Sequence, residues 1–288
     1  MMPDKTPTPP TIAVTGASGR LGGETARLLA AEGIPLRLVL RDASRVPALP
    51  GTTTAVASFG DPEACRRALE GIGTVFMVSA AESEDRLQQH FRFIDAAMDA
   101  GVEHIVYTSF AGADPDSTFT LARDHFATEE KLRETGAKFT LLRNNFYADI
   151  LPDFADRDGV IRGPAEDGRA AFVARSDVAR VAAAILQQPI PHAGFTYNLT
   201  GPEALTLAEA AAILTEATGR QLSFHNETVE EAYASRAHYG APAWQLDAWV
   251  STYTAIARGE LAKTTNDVEL LTGQAPLSLH QLFSQPLN

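Results

Sequence analysis

Cysteine is almost missing: Cys65 is the single one in 288 residues. That excludes an internal disulfide and any metal site built from several thiolates. It fits a reducing compartment, and a cytoplasmic location is expected. Long apolar runs are missing too. No stretch approaches the roughly 18 apolar residues that a membrane-spanning helix needs, so no membrane partner is expected. Residues 1–10 are polar and proline-rich without an apolar stretch, so they read as a disordered lead-in and not as a signal peptide. Positive charge is in short supply: 24 Lys and Arg against 36 Asp and Glu leave a net charge of −12. A chain this acidic is repelled by phosphate backbones unless basic residues cluster, and here the arginines are scattered. Nucleic acid is not an expected partner. The histidines His90, His104, His192, His225 and His280 lie too far apart to suggest a metal site, and none is expected.

What the chain does have is an alternation. Apolar runs at 11–15, 36–40, 53–57, 74–79, 104–108, 139–142 and 196–199 read as strands. Helical patterns near 21–31, 62–69, 85–100, 125–135 and 177–186 lie between them. Strand and helix in turn predict βαβ units, hence an α/β fold with a Rossmann-type doubly wound parallel sheet. Beyond 151 the pattern breaks at Pro152, Gly159, Gly163, Pro164 and Gly168, and Ser176-Asp177 reads as the cap of the next helix. The remainder is mainly helical, at 206–218, 229–238 and 244–257. The expected division is a dinucleotide-binding domain over 11–150, with 175–200 returning to it, and a smaller substrate or cap domain over 151–174 and 201–288.

The motif with the most chemistry is Thr11-Ile-Ala-Val-Thr-Gly16-Ala-Ser-Gly19-Arg-Leu-Gly22. Gly16 permits a sharp turn out of the first strand. Gly19 keeps a side chain away from a pyrophosphate, and Gly22 lets the following helix pack close to the sheet. The helix N-terminus then offers free N–H groups and partial positive charge to phosphates. Gly16, Ser18, Gly19, Arg20, Leu21 and Gly22 are therefore candidate cofactor contacts. The ribose 2′ position is read at the end of the second strand, where an acidic residue favours NAD and arginine accommodates a 2′-phosphate. Arg41 and Arg45 stand there and point to NADP(H). A solvated surface turn is the plainer reading, and Asp42 keeps NAD open. Ser79 and Ala80, after the fourth strand, are expected beside the nicotinamide ribose.

Three further stretches carry a family resemblance: Ala100-Gly-Val-Glu-His-Ile-Val-Tyr-Thr-Ser109, Thr140-Leu-Leu-Arg-Asn-Asn-Phe-Tyr147, and Tyr253-Thr-Ala-Ile-Ala-Arg-Gly-Glu-Leu-Ala262 followed by Leu271-Thr-Gly-Gln. With the glycine turn, they make the chain resemble an atypical short-chain dehydrogenase/reductase of the NmrA-like group. The pattern is nearest to the branch of NAD(P)H:quinone oxidoreductase and triphenylmethane reductase, over nearly the whole chain after Pro10. The resemblance implies a tyrosine proton donor with a lysine four residues later, and a serine after the fifth strand. Ser109 matches the serine. His125 and Glu129 occupy the tyrosine and lysine positions, and Lys131 lies on another helical face.

Ordinary ketone reduction needs a proton delivered near the oxygen as hydride arrives, so losing that pair makes it doubtful. A quinone tolerates the loss, because its reduced form is a stabilised phenolate. His125 is a candidate helper, its ordinary pKa lying near neutrality; the plainer reading is a helix residue bonded to Glu129. By resemblance, Asn145 lines the nicotinamide and acceptor pocket, and Phe146 or Tyr147 stacks on a flat acceptor or packs beneath the cap. His238, Tyr239 and Trp244 either roof that pocket or pack in the core. The catalytic candidates are Ser109, His125, Asn145 and Tyr147. The expected activity is NADPH-dependent reduction of a quinone-like small molecule. The alternative is a non-catalytic NADP(H) sensor of the NmrA type acting through a protein partner, and a homodimer stays open.

Overall fold

Strands β1 (Ile12–Thr15), β2 (Leu36–Leu40), β3 (Thr52–Val56), β4 (Thr74–Met77), β5 (His104–Phe110) and β6 (Lys138–Asn144) alternate with helices α1 (Arg20–Ala31), α2 (Pro62–Leu69), α3 (Arg86–Asp99) and α4 (Thr120–Glu134). After them come β7 (Val160–Gly163), β8 (Arg169–Ala170), α5 (Arg175–Gln187), β9 (Thr196–Leu199), β10 (Leu205–Thr206), α6 (Leu207–Thr218) and β11 (Ser223–Asn226). Helices α7 (Val229–Arg236), α8 (Ala243–Ala257), α9 (Asp267–Thr272) and α10 (Leu279–Ser284) complete the chain. The computed structural model describes residues 11–284; the lead-in expected over 1–10 lies outside them.

Seven strands form one sheet in the order β3-β2-β1-β4-β5-β6-β9, and the β1·β2, β1·β4, β2·β3 and β4·β5 ladders are parallel. This is the Rossmann-like α/β fold expected from the alternation. Ile12 faces Leu36 on one side and Thr74 on the other. The strand order therefore turns back at β1 and β4, and such a switch point opens a crevice at the strand C-termini. Interior strands are apolar on both faces, as β4 is in Thr-Val-Phe-Met, whereas the edge strand β3 carries three threonines in a row and is largely exposed. Helix ends follow local chemistry. Asp61 caps α2, accepting from the Ala64 N–H at 3.0 Å, with Pro62 in the first turn. Thr206 and Glu209 form a capping box on α6.

The chain divides into two compact units, Met1–Thr108 with Thr128–Leu142 and Ala179–Thr196, and Ser109–Ala127 with Arg143–Val178 and Tyr197–Asn288. The core of the first joins Val39, Leu69, Val75, Met77, Phe93, Ile105 and Leu141. The core of the second joins Phe110, Phe119, Phe146, Leu151, Leu207, Leu214 and Ile256. In the second, the stretch without sequence periodicity holds β7 and β8, which pair with β11 and β10. Ser176 and Asp177 do not cap α5, because the helix already begins at Arg175. The buried Asp177 carboxylate accepts instead from the Leu277 N–H at 2.7 Å.

His104 shows what a buried polar group demands. Its Nε2 lies 2.8 Å from Thr140 Oγ1, whose own proton goes to the His192 carbonyl at 2.8 Å. Thr140 must therefore accept, so Nε2 carries the imidazole proton and Nδ1 is the bare nitrogen, which has no partner among the described residues. Burial, then the Lys138 and His192 charges, lower the pKa from 6.5 to about 4. Above pH 6.5 the residue is neutral folded or unfolded; below it the unfolded chain takes a proton that the folded chain refuses down to about pH 4. Stability should thus fall across that interval, by on the order of 3 kcal/mol from this residue. Urea denaturation of wild type and His104→Asn at a series of pH values checks it: the variant should lack that part of the acid loss, and an unchanged curve would place the proton uptake elsewhere.

Candidate functional site

Helix α1 begins where the β1 turn ends. Gly16 takes φ +61°, and the Gly19 N–H returns to the Gly16 carbonyl at 2.8 Å, closing the turn. Gly19 is the N-cap and has no side chain to offer, no carboxylate lies in the first turn, and the Gly23 N–H bonds back to Gly19 O at 3.0 Å. The amides before Gly23 have no carbonyl one turn behind them, so an anion there meets N–H groups and the positive end of the helix. A Cβ on Gly22 would sit 2.6 Å from the carbonyl oxygens of both Thr15 and Gly16. Helix and strand exit are in backbone contact, which only glycine permits.

Around this turn lies a cleft of about 480 Å³, wholly within the first unit. Gly16, Ser18, Gly19, Arg20, Leu21 and Gly22 line it, as do Arg41, Arg45, Ser79 and Ala80. Ten of the eleven expected cofactor contacts thus come together, Asn145 excepted. The lining holds three arginines, Arg20, Arg41 and Arg45, and one carboxylate residue, Glu82. The site is cationic on a chain of net charge −12, and that suits a ligand with several phosphates. Asp42 is engaged elsewhere: its Oδ1 accepts from the Ser44 N–H at 2.9 Å and the Ser44 hydroxyl at 2.7 Å, which lowers its pKa. It caps the short turn that carries Arg45 and is not part of the lining.

The far wall is the chain leaving β4. Thr15 Oγ1 donates to the Phe76 carbonyl at 3.0 Å and accepts from the Val78 N–H at 2.8 Å. Thr108 Oγ1 accepts from the Ser79 N–H at 2.8 Å. Two threonines, Thr15 at the end of β1 and Thr108 within β5, thus satisfy amides that have left the ladder. The sequence reading missed Ser58 and Phe59, which line the cleft after β3, and Glu82, which lines it after β4. Their one signal was position, just past the C-termini of β3 and β4.

The second unit holds the remaining candidates. Ser109 is buried in β5, and His125 is buried on α4 with its ring 6.1 Å from that of Phe110. Phe146 packs with Phe110 and Phe119 at ring distances of 4.9 and 5.2 Å, so it belongs to the core. Asn145 is used up internally: its Nδ2 donates to the Leu261 carbonyl at 2.9 Å, and its Oδ1 accepts from the Phe146 N–H at 2.8 Å. The side chain expected at cofactor and acceptor is therefore a strap across its own unit. Its neighbour Asn144 donates from Nδ2 to the Tyr147 hydroxyl at 3.1 Å, while its buried Oδ1 has no partner among the described residues. The Arg175 guanidinium lies 5.1 Å from the Tyr147 ring centre. Burial pushes the Tyr147 phenol up to about 12, against the Asn144 hydrogen bond and the Arg175 charge. Tyr239 is 64% exposed, 3.9 Å from the His238 ring and edge-on to Trp249, so it is not core.

The helix that should carry a tyrosine and, four residues on, a lysine has His125 and Glu129 at those positions. Glu129 is fully buried and pairs with Arg133 at 3.2 Å. Lys131 turns to Asp95 on α3 at 2.7 Å and to the face of Phe91. The nearby ammonium is thus committed to a surface ion pair.

The NmrA-like family profile matches residues 8–253. Quinone oxidoreductase 2 of Escherichia coli is 32% identical over 285 residues, covering 96% of this chain and 99% of that protein. Its crystal structure complexed with NADPH superposes with a TM-score of 0.85 over 95% of this chain and 98% of the other. The NAD(P)H azoreductase of Xenophilus azovorans is 31% identical, over 91% of this chain and 93% of its own. Triphenylmethane reductase of Citrobacter sp., complexed with NADP(H), is 30% identical with a TM-score of 0.81, over 94% of this chain and 98% of the other.

The two glycines at the ends of the turn should fail differently. At Gly19 a Cβ would meet only the Gly16 carbonyl, at 3.1 Å, and the rest of a valine would project toward the phosphate position. Gly19→Val should therefore abolish dinucleotide binding while keeping most of the stability. Gly22→Val drives a branched side chain into two carbonyls and should cost about 1–3 kcal/mol or more. NADPH fluorescence titration beside urea denaturation separates the two; wild-type affinity in Gly19→Val would remove the dinucleotide from this turn.

Proposed function

The chain belongs to the NmrA-like family, and from that premise we propose that it is an NADPH-dependent reductase passing hydride to a quinone or comparable flat conjugated acceptor. The observation that carries the cofactor choice is the second strand's end. Arg41 and Arg45 line the cleft there while Asp42 is held by Ser44. In this reading both guanidiniums take the 2′-phosphate, the turn from Gly16 to Gly22 holds the pyrophosphate, and Ser79 and Ala80 flank the nicotinamide ribose. NADPH, when bound, supplies a hydride from its reduced ring.

The acceptor class follows from what the chain does not place beside the reaction. With Glu129 tied to Arg133 and Lys131 to Asp95, α4 has no lysine left to acidify a proton donor. A substrate whose reduced form is a stable phenolate takes its proton from water, so positioning matters more than a strong acid. His125 serves as an assisting donor, and the Tyr147 ring as a flat partner for the acceptor. Relatives are named for quinones, azo compounds and triphenylmethanes, all of them extended conjugated systems.

NADPH should bind about 10- to 100-fold tighter than NADH, as charge-assisted contacts of about 1.5–3 kcal/mol imply, and Arg41→Ala with Arg45→Ala should erase the difference. Titration of both cofactors decides it; a preference for NADH would make Asp42 the reader. Turnover, followed as NADPH absorbance, should be clear with quinones and slight with aliphatic ketones, and His125→Ala should lose less than about 10²-fold. Tight NADPH binding with no acceptor reduced would hand the lead to a non-catalytic redox sensor. The neighbouring asparagines should also part company. Asn145→Ala should lower stability by about 1–3 kcal/mol, since it leaves the Leu261 carbonyl and Phe146 N–H unpaired, whereas Asn144→Ala should lower turnover more than stability. Denaturation and steady-state kinetics on both variants check this.

A further inference from the structure

We infer that His90 is a positioning residue for the dinucleotide cleft: a neutral imidazole, fixed in one tautomer, that holds the Ala80 peptide in the cleft wall. The inference rests on the reading that this cleft takes NADPH.

The chain that leaves β4 gives up its ladder partners, so each amide needs another acceptor. Three consecutive N–H groups find side chains. Val78 donates to Thr15 Oγ1 at 2.8 Å, Ser79 to Thr108 Oγ1 at 2.8 Å, and Ala80 to His90 Nε2 at 2.9 Å. The Ala80 carbonyl is held as well, accepting from Arg86 Nε at 3.0 Å. Arg86 and His90 are four residues apart on α3, hence on one face, and are 4% and 0% exposed. A single helix face thus grips both polar groups at Ala80, and Val78, Ser79 and Ala80 all line the cleft.

The tautomer follows from the partners. Nε2 faces an amide donor and must present its lone pair, so the proton sits on Nδ1, which donates to Thr128 Oγ1 at 2.9 Å. Burial, and then the Arg86 charge, hold the imidazole neutral, well below the ordinary histidine range. The ring also stands edge-on to Phe59, another residue of the cleft, at 6.3 Å, and to Tyr107 at 5.8 Å. Packing alone calls for an apolar side chain in this place. An apolar side chain would leave the Ala80 N–H bare and free to turn toward water, and the cleft wall would move with it.

The test compares wild type with His90→Phe, which keeps a ring without an acceptor, and His90→Gln, whose Oε1 falls near the Nε2 position. NADPH affinity by fluorescence titration should drop about tenfold or more in His90→Phe and recover most of that in His90→Gln. Amide hydrogen exchange at Ala80 should quicken in the Phe variant and slow again in the Gln variant, a readout that needs no cofactor. Thr128→Val, which releases the Nδ1 proton while keeping the imidazole, should weaken NADPH by a smaller factor and speed Ala80 exchange, and it stands in should His90→Phe not fold. Wild-type NADPH affinity in His90→Phe or Thr128→Val overturns the inference, as does His90→Gln behaving like His90→Phe. Absence of NADPH binding by the wild type would overturn the cofactor reading instead, while Ala80 exchange still judges the His90 contact.

Discussion

Helix α1 touches the exit of β1 backbone to backbone, with Gly22 so close to the Thr15 and Gly16 carbonyls that a Cβ would stand 2.6 Å from each. Most of the cleft depends on that contact. It brings the uncapped amides of the first helical turn over the strand C-termini, where β1 and β4 mark the reversal of strand order. It also leaves Thr15, the last residue of β1, free to reach across with its hydroxyl. Thr15 joins the Phe76 carbonyl to the Val78 amide, so the turn on one side of the cleft and the loop on the other are registered through one side chain. A larger residue at Gly22 acts on both walls at once.

The parts of this arrangement that were legible in the sequence are those whose partners are near in the chain or repeat with a period. Strands such as Leu36–Leu40 read as apolar runs because both faces of a central parallel strand are covered. The start of α2 was legible because Asp61 and Pro62 are local signals. The strands β7, β8, β10 and β11 were not: they run two to four residues, too few to show alternation, and pair with segments far along the chain. Asn145 was chosen and Asn144 passed over for another reason. Successive residues leaving a strand point to opposite sides, and only the backbone groups that meet them, Leu261 O for one and none for the other's oxygen, tell strap from open acceptor. His90 was passed over because its partner is the Ala80 N–H, and a backbone group carries no mark in the sequence.

Charge follows the same logic at a larger scale. The chain is acidic overall, so the grouping of Arg20, Arg41 and Arg45 on one cleft is a local exception against a repelling background. Such a field draws a polyphosphate to one place and discourages it elsewhere. The two guanidiniums after β2 line that place, whereas Asp42 between them turns Oδ1 to Ser44 and is not part of the lining. A carboxylate in the right stretch of sequence is therefore weighed by its hydrogen bonds as well as by its position. The fate of Lys131, spent on Asp95, makes the same point for the proton donor.

Tyr147 is the last step of that reasoning. A phenol that gives up a proton during reduction is helped by a cation that lowers its pKa, and Arg175 stands 5.1 Å from the ring centre. Burial outweighs that help, and the pKa rises to about 12. The phenol stays protonated and is a poor acid. What the surroundings do provide is fixity: the hydroxyl accepts from Asn144, Arg175 covers the ring, and the main chain pairs with Val173. An aromatic plate held at its edge, its face and its backbone is suited to orienting a flat partner and ill suited to proton transfer. Under the proposed reaction, that division of labour selects acceptors whose reduced form needs no strong acid, which suits a helix with His125 and Glu129 where a tyrosine and a lysine were expected.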